Sequence, residues 1–513
     1  MIKLLAILLL VSLYSCAPND SYDQLITGGV IVDGSGDEVY NADILIRNGK
    51  ISYIGEMNTD TIDVDQRFDA NGYHLTPGFI DAHAHGDPLE NPEFENFLAM
   101  GVTTILLGQD GGGPDIEGLD EHMSAVEGIQ PHVNVAYLAG HNTIRRESGL
   151  GHDDPDDTDL DALAELVSQS METGTFGISL GLEYDYGGQA EMPELIRIAE
   201  PVAGYDGIIM SHMRSEDYDK IEDSIEELIG QGKESGARVH ASHLKIVLGN
   251  DPDQAHEILE MMDHARNEGV DISADVYPYN ASFTGIGLLF PDWASPPNDY
   301  EEVVEERRGE LEEYLRDRVN TRNGPEATLF GTGDYSGKTL AEVAEEEGRP
   351  FEEILIDLGP GGASAAYFVM DEDVMEIFIA DPHSVISSDG SPTMRHPRGY
   401  GAFAKVLNEY TSDDKLLDLV EAVHKMSGQT ASIIGLDDPE KVEVKRGYLR
   451  EGYAADILMF NPDEVKDRAD FEHPHELAEG MQMIWVNGQP AWEVDSLSGS
   501  DGYGKMIRNQ IAR

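Results

Sequence analysis

Eight short, apolar, β-branched runs alternate with helix-like stretches through the middle of this chain, and this alternation constrains its fold more than any other feature. Strands that alternate with helices are typical of a parallel (β/α)₈ barrel. The candidate strands are residues 79–80, 103–107, 133–138, 176–180, 207–210, 238–241, 270–273 and 384–387. We therefore predict an α/β protein whose main domain, at about residues 77–440, is a TIM-type (β/α)₈ barrel.

The gap between the seventh and eighth runs is too long for a single crossover connection. It spans roughly 110 residues, whereas connections in compact domains usually take a handful. We predict an acidic insertion at about residues 280–347, placed so that it could cover the barrel mouth as a lid.

Both ends of the chain differ from the alternating middle: they contain short β-type runs separated by turns. Asn48-Gly49 and Asn487-Gly488 lie between apolar runs, which is a strong hairpin signal. Residues 22–76 and 441–513 are therefore predicted to form a small β-sandwich domain assembled from both chain ends.

Residues 1–21 are predicted to be a lipoprotein signal peptide and a short tether. A basic start at Lys3 is followed by an apolar run at residues 4–13 that is too short to span a membrane as a stable helix. The run leads to Cys16, in a context that resembles the lipobox of bacterial lipoproteins. Cys16 is the single cysteine of the chain, which excludes internal disulfides and leaves no thiolate for a metal in the folded domain. The expected location is exported and lipid-anchored, on the periplasmic or surface side of a bacterial membrane.

The charge of the chain excludes some partners. With 99 acidic and 34 basic residues, the formal net charge is −65. Such a surface repels nucleic acid and anionic lipids, so no nucleic-acid partner is expected, and the only membrane contact expected is through a lipid on Cys16. A charge this large favours a halophilic host, because salt screens the self-repulsion.

Ligand-type residues follow four of the eight predicted strands. His83 and His85 follow the first, His212 the fifth, His243 the sixth and Asp389 the eighth. The carboxyl ends of barrel strands meet at one face, so these side chains should converge there. Imidazole and carboxylate suit zinc or a similar divalent ion.

His240 serves as a contrast to these ligand candidates. It lies three residues before His243, so strand alternation points it to the opposite face. We interpret it as structural.

At these positions the chain resembles a known family. Residues 77–85, PGFIDAHAH, look like the first-strand motif of amidohydrolases, and the terminal β segments resemble that superfamily's small domain. Along nearly its whole mature length the chain resembles the N-acyl-D-amino-acid deacylase, or D-aminoacylase, branch. The further matching segments are residues 101–104, 140–145, 179–184, 211–214, 242–245, 275–279, 387–390 and 396–398.

The resemblance implies a role for each matching position. His83 and His85 would form one part of a site for one or two Zn²⁺ or other divalent ions, and His212 and His243 the other part. Asp389 would be the catalytic aspartate, which activates water and passes its proton to the departing amine. The side chains implied to hold the free α-carboxylate of a small N-acyl amino acid or dipeptide substrate are Lys245, Tyr277 and Tyr279.

The chain departs from the family pattern after the second strand. Where typical D-aminoacylases have a cysteine ligand, this sequence has Asp110, a harder carboxylate ligand. Many superfamily members instead carry a metal-bridging modified lysine at the fourth strand, where this chain has Glu183. Asp110 and Glu183 are therefore both candidate metal ligands, and the metal count and identity stay open.

Three functions remain as alternatives. The favoured one is metal-dependent hydrolysis of the amide bond of N-acyl amino acids, of D configuration by resemblance, or of related dipeptides. A cyclic-amide hydrolase of the dihydroorotase or hydantoinase kind would use the same metal, but its substrate need not offer a carboxylate to Lys245. A non-catalytic ligand-binding lipoprotein would be expected to lack the histidines or Asp389, and this sequence keeps them all.

Overall fold

The computed structural model describes residues 22–411 and 416–511. The predicted signal peptide and Cys16 lie outside the described residues. The strands, in chain order, are β1 (Tyr22–Ile31), β2 (Tyr40–Arg47), β3 (Lys50–Gly55), β4 (Val64–Asp69), β5 (His74–Pro77), β6 (Phe79–Asp81), β7 (Val102–Leu107), β8 (Asn134–Tyr137), β9 (Ala139–Gly140), β10 (Gly177–Gly181), β11 (Ile208–His212), β12 (Arg238–Ala241), β13 (Ile272–Val276), β14 (Ser282–Gly285), β15 (Thr328–Phe330), β16 (Ser364–Tyr367), β17 (Ser384–Ile386), β18 (Ile457–Phe460), β19 (Met481–Val486) and β20 (Gln489–Glu493).

The α-helices mostly follow the barrel strands, as a (β/α)₈ chain requires. They are α1 (Glu95–Ala99), α2 (Leu119–Ile129), α3 (His141–Ser148), α4 (Asp157–Thr173), α5 (Met192–Gly204), α6 (Ile221–Ser235), α7 (Pro252–Asn267), α8 (Tyr300–Thr321), α9 (Leu340–Glu347), α10 (Phe351–Leu358), α11 (Glu372–Ala380), α12 (Arg398–Lys405), α13 (Leu419–Met426) and α14 (Gly428–Ile434). Among the residues described, none of these helices is long and apolar enough to cross a membrane.

The predicted barrel is confirmed. Strands β6, β7 and β8 pair in parallel, and so do β9, β10, β11, β12, β13 and β17, with β9 continuing the third barrel strand after β8. A parallel bridge between Ala84 and Gly390 joins the chain after β6 to the chain after β17. The barrel strands are almost wholly buried, because helices cover the outer face of the sheet. Strands buried on both faces have continuous apolar runs instead of alternating ones.

The two chain ends form the predicted β domain. Strand β18 pairs antiparallel with β5, and this pairing joins β1–β5 to β18–β20 in one eight-stranded sheet. Its core contains isoleucines of β1 and β2 together with Trp485 of β19, whose indole N–H donates to the Gln24 side chain at 2.6 Å. The N-terminal strands are thus held by residues more than 400 positions away.

The segment between β13 and β17 is a folded unit with its own core. Strands β14, β16 and β15 form a small antiparallel sheet, and α8, α9 and α10 pack with it around a separate apolar cluster. Because β16 ends at Tyr367, this unit extends beyond the predicted limit at residue 347. Side chains from it, including Phe283, Leu288 and Arg322, line the cavity at the barrel mouth.

Candidate metal centre and active site

A cavity of about 320 Å³ lies at the carboxyl ends of the barrel strands. It contains most of the side chains singled out in the sequence. Those of the predicted site residues that line it are His85, Asp110, Glu183, His212, His243, Lys245, Tyr277 and Asp389. His83 lies directly behind them, because its side chain is fully buried and its Nε2 is 3.3 Å from Oδ1 of Asp110.

The first group of possible metal ligands contains residues that follow the first and the last strand of the barrel, β6 and β17. His85 places its Nε2 3.1 Å from Oδ1 of Asp389 and 3.5 Å from Oδ2 of Asp110. Backbone hydrogen bonds hold these segments together, since Asp389 N donates to His83 O and His85 N donates to Gly390 O. Closure of the barrel therefore brings Asp389 beside histidines about 300 residues earlier in the chain.

The second group comes from neighbouring strands. His212 ends β11 and His243 follows β12, and Nδ1 of His212 lies 3.0 Å from Nε2 of His243. The same two nitrogens lie 3.8 and 3.4 Å from Oδ1 of Asp110. Asp110 therefore stands between two groups, one with His83, His85 and Asp389 and one with His212 and His243.

The donor atoms fit a divalent cation. Buried polar atoms in proteins nearly always have a hydrogen-bond partner. Among the described residues, Oδ1 of Asp110 and both ring nitrogens of His83 are buried and have none. In each of the two groups the possible ligand atoms lie within 4.8 Å of one another. Imidazole nitrogen and carboxylate oxygen are donors that zinc and similar ions accept, so a bound ion would satisfy these atoms.

Three of these residues have left-handed backbone conformations. The φ angles are 54° at Asp110, 37° at His243 and 47° at Asp389, in a region that residues other than glycine seldom adopt. Such conformations cost free energy and persist where the surrounding structure requires them, typically at functional sites. The three side chains therefore converge at one point although their backbone conformations are strained.

Glu183, the second candidate carboxylate ligand, lies on the opposite side of the His212 ring from Asp110. Its Oε2 lies 3.1 Å from Nε2 of His212, whereas the Nδ1 of that ring faces Asp110 and His243. Glu183 and His212 do form a third close group with Glu216. Because Glu183 is absent from both groups that contain Asp110, the geometry favours a role in orienting His212 over a role as ligand in those groups.

Glu216 and Asp275 were not predicted as site residues, although Asp275 begins one of the matching segments. Oε1 of Glu216 lies 3.0 Å from Nδ1 of His243 and 2.5 Å from Nζ of Lys245. Burial raises the pKa of Glu216, but the cationic Lys245 and the nearby imidazoles outweigh burial and hold that pKa well below its usual range. Glu216 thus stays ionised and fixes the orientation of the His243 ring. The sequence pattern does not identify Glu216 as a site residue, because it lies in a loop beyond the end of the strand.

Asp275 links His83 to His240. Its Oδ2 lies 3.7 Å from Nδ1 of His83 and 2.9 Å from Nε2 of His240, while its Oδ1 accepts from the His243 backbone N–H and the Ser387 hydroxyl. His240 is buried, bonds Ser273 on its other nitrogen, and belongs to neither group of possible ligands. Its position therefore agrees with the structural role predicted for it.

Replacing Asp275 with asparagine should weaken metal binding by about 10- to 100-fold, because the substitution removes the negative charge beside the His83 ring and disturbs the carboxylate that holds the His243 backbone and the His240 ring. The measurement is the metal dissociation constant, obtained by competition with a chelator. Asp271→Asn, at an exposed position just before the same strand, is the matched control. Equal affinities in the two variants would show that Asp275 does not support the site.

Arg398 was also missed as a site residue, although its segment was among the matching motifs. Its guanidinium lies 2.8 Å from Oδ2 of Asp389 and over the ring of Tyr277, 4.7 Å from the centroid. Burial raises the pKa of Asp389, but Arg398 and the neighbouring imidazoles more than offset it, and the pKa lies well below its usual range. The carboxylate is therefore ionised and able to accept a proton.

Tyr277 and Lys245 line the cavity, but Tyr279 does not. Tyr279 is buried beside Lys405 and His396, and its hydroxyl has no hydrogen-bond partner in the part of the chain that the structure describes. The structure therefore does not bring Tyr279, which the resemblance implied as a substrate-binding residue, to the cavity beside Tyr277, because β13 ends at Val276. Beyond it the chain turns, and Tyr279 N donates to Tyr277 O.

A (β/α)₈ barrel that gathers four histidines and two aspartates at its mouth defines a metal-dependent hydrolase of the amidohydrolase type. The chain is 30% identical over 97% of its length to the whole of a D-aminoacylase from Alcaligenes xylosoxydans xylosoxydans. It is also 30% identical over 91% of its length to 93% of an N-acyl-D-glutamate deacylase from that organism. Residues 304–491 match the model of the family described as Amidohydrolase family.

A solved structure has the same architecture. The N-acyl-D-glutamate deacylase of Bordetella bronchiseptica, complexed with zinc and a phosphonate inhibitor that mimics the tetrahedral intermediate, superposes with a TM-score of 0.83. It is 28% identical and covers 95% of this chain and 100% of its own. The chain belongs to the D-aminoacylase family of amidohydrolases. It is an enzyme, a metal-dependent amide hydrolase, rather than a non-catalytic binding protein.

Proposed function

We propose that this enzyme hydrolyses the amide bond of N-acyl-D-amino acids that carry a free α-carboxylate. The observation that carries this proposal is the pair of cations around one tyrosine of the cavity wall. Lys245 Nζ lies 5.6 Å and the Arg398 guanidinium 4.7 Å from the centre of the Tyr277 ring. The Tyr277 hydroxyl has only a weak partner, the sulfur of Met370 at 3.6 Å, within the described residues. Two cations and a phenol hydroxyl suit a carboxylate.

Lys245 remains charged although it is buried. Burial lowers its pKa, but Glu216 more than compensates, so the pKa is raised. Its ammonium contacts Glu216, the His243 carbonyl oxygen and Nδ1 of His243. Lys245 therefore connects the proposed carboxylate site to the ligand His243, and substrate binding and orientation of the histidine depend on the same network.

The reaction follows from the positions of these groups. His83, His85, Asp110 and Asp389 would hold one ion, and Asp110, His212 and His243 a second. A bound divalent ion lowers the pKa of water and polarises the scissile carbonyl. Asp389 accepts the proton of the attacking water and passes it to the departing amine nitrogen. Arg398 keeps the Asp389 carboxylate ionised and holds it in position for both proton transfers.

The D configuration is supported by the relatives, which are named D-aminoacylase and N-acyl-D-glutamate deacylase. We expect release of free amino acid from N-acetyl-D-amino acids, with the L enantiomers cleaved at least about a hundredfold more slowly, since a site that binds three substituents of one carbon rejects its mirror image. Removal of the metal by a chelator should abolish the activity, and zinc should restore it.

The same assay includes two further substrates. The carboxamide of an N-acetyl-D-amino acid keeps the scissile N-acyl bond but lacks the charge proposed to bind Lys245 and Arg398, so its KM should rise. A cyclic amide of the dihydropyrimidine or hydantoin type tests the alternative function. Cleavage of the cyclic amide with no activity on either N-acetyl enantiomer would overturn the proposal.

A further inference from the structure

The loop after β17 contains a buried histidine that lies outside the lining of the cavity and outside the possible ligand groups. His396 is 0% exposed, and its ring is enclosed by three other aromatic rings. Those rings belong to Tyr279, Phe283 and Phe471, at centroid distances of 5.6, 6.2 and 4.9 Å. A polar ring in such surroundings is costly unless its nitrogens are hydrogen-bonded, so the partners of His396 indicate why it is there.

Both nitrogens of the His396 ring have a partner, and the two partners come from different segments. Nε2 donates to the carbonyl oxygen of Ala281 at 3.0 Å, and Nδ1 accepts from the backbone N–H of Arg398 at 3.0 Å. Only the neutral ring with its proton on Nε2 can make both hydrogen bonds. Burial and the nearby Arg398 cation hold the pKa of His396 well below its usual range, in agreement with a neutral ring. His396 therefore joins the base of the insertion, directly before β14, to the first residue of α12.

The hydrogen bond to Arg398 N takes the place of a helix cap. The first N–H groups of a helix have no partner within the helix, and the residue before the helix often supplies a side-chain acceptor. In α12 that residue is Pro397, whose side chain makes no capping hydrogen bond. Nδ1 of His396 supplies the acceptor instead. The residue that it holds is the one whose guanidinium contacts Asp389.

The first turn of α12 also packs directly on the segment that carries Asp389. A Cβ on Gly390 would lie 2.5 Å from the Cα of Gly399, and a Cβ on Gly399 would lie 2.9 Å from the carbonyl oxygen of Ser391. Because close-packed backbones transmit displacements to each other, the two segments have to move together. The position of this turn therefore determines how the Arg398 guanidinium meets the Asp389 carboxylate.

The C-terminal β domain supports the His396 ring from outside the barrel. The connection between β18 and β19 reaches the loop after β17, where Phe471 packs on His396. Phe471 also contacts Phe368, just after β16 of the insertion, with 4.6 Å between the ring centroids. In the same connection, Nε2 of His475 bonds the carbonyl oxygen of Met394 at 2.8 Å. The imidazole of His396 is thus held between the barrel, the insertion and the β domain.

We propose that His396 is a positioning residue, whose two hydrogen bonds set the place of Arg398 relative to the substrate α-carboxylate and to Asp389. This proposal rests on the proposed function, which assigns the α-carboxylate to Lys245 and Arg398. The guanidinium has few other ties: among the described residues its Nε has no hydrogen-bond partner, and it reaches the Phe283 carbonyl oxygen only at 3.4 Å. Its place therefore depends on the backbone that His396 holds.

His396→Gln tests this role. Glutamine can still donate to the Ala281 carbonyl oxygen, but it offers no acceptor at the position of Nδ1. The quantity measured is the ratio of kcat/KM for N-acetyl-D-leucine to kcat/KM for its carboxamide, with zinc-loaded full-length protein. Both substrates are assayed on one preparation, so an unfolded fraction cancels from the ratio. The ratio should fall about tenfold, the size of one hydrogen bond to a charged group, because the cation that distinguishes the two substrates is displaced. An unchanged ratio would overturn the proposal.

His396→Asn provides the conservative comparison. Its Oδ1 lies nearly where Nδ1 lay and can still accept from Arg398 N, so the ratio should lie between those of wild type and His396→Gln. His473→Gln is the matched control, because His473 is an exposed histidine in the same connection between β18 and β19, and it should behave as wild type. A ratio in His396→Asn as low as in His396→Gln would show that the hydrogen bond to Arg398 is not the cause.

Arg398→Gln separates positioning from a general structural role. This variant should lower the ratio at least as far as His396→Gln does. In the double variant the ratio should fall by less than about a further twofold, because His396 acts through Arg398 and the two effects are not additive. A further tenfold fall would overturn the proposal. If wild type does not prefer the acid to the carboxamide, the proposed function fails. A preference that Arg398→Gln lowers and His396→Gln does not would overturn this inference alone.

Discussion

Asp389→Asn should lower kcat by about 10³- to 10⁴-fold, the upper part of the range for removal of a general acid–base group. Oδ1 of Asp389 lies 3.1 Å from Nε2 of His85, and its Oδ2 lies 2.8 Å from the Arg398 guanidinium. The amide cannot take a proton from water, although it fills the same space. Asparagine also tolerates the left-handed backbone at this position, where φ is 47°, so the variant should fold.

The measurement is kcat from the release of free amino acid, together with the metal content and thermal unfolding of the same preparation. His83, His85 and Asp110 remain in the variant, so most of the metal should be retained. Asp373→Asn, an exposed aspartate on α11, serves as the matched control and should behave as wild type. A kcat within tenfold of wild type would show that another group carries the proton.

Asp110→Asn should weaken metal binding in both groups at once. Oδ1 of Asp110 lies 3.3 Å from His83, 3.4 Å from His243 and 3.8 Å from His212, so the loss of its charge affects each group. Removal of a partner of a metal ligand typically costs about 10- to 100-fold in affinity, and removal of a shared ligand should cost more than that. Activity should fall with the metal content. Asparagine again suits the local backbone, where φ is 54°.

Metal per chain, measured after dialysis against a weak chelator, tests this prediction. Asp115→Asn is the matched control, because Asp115 lies in the same loop and its pair with Arg146 is exposed. In Asp110→Cys a thiolate should restore binding and raise the preference for zinc over manganese, since a soft ligand selects the softer ion. If Asp110→Asn retains both ions at wild-type affinity, Asp110 is not the shared ligand.

The amino-acid sequence alone was sufficient to predict the barrel and the convergence of its ligands. Parallel strands covered on both faces must be continuously apolar, so the eight runs could be recognised without any contact information. Side chains at the carboxyl ends of such strands meet at one face, which placed His83, His85, His212, His243 and Asp389 together. The resemblance to D-aminoacylases then pointed to Asp110 through the missing cysteine. The salt-rich habitat and the lipid anchor stay predictions.

The tertiary structure decided the contacts that depend on where the chain turns and on partners distant in sequence. Tyr279 was assigned to the site by the resemblance to D-aminoacylases, but the chain turns after β13 ends and leaves this side chain outside the cavity lining. The orientation of the His212 ring is set by packing. It turns one ring nitrogen toward Asp110 and the other toward Glu183, so Glu183 lies outside the groups that contain Asp110. Glu216, Asp275 and Arg398 lie on different segments, and their partners come from other strands. Charge pairing of this kind is a property of the assembled barrel mouth and leaves no periodic pattern in the sequence.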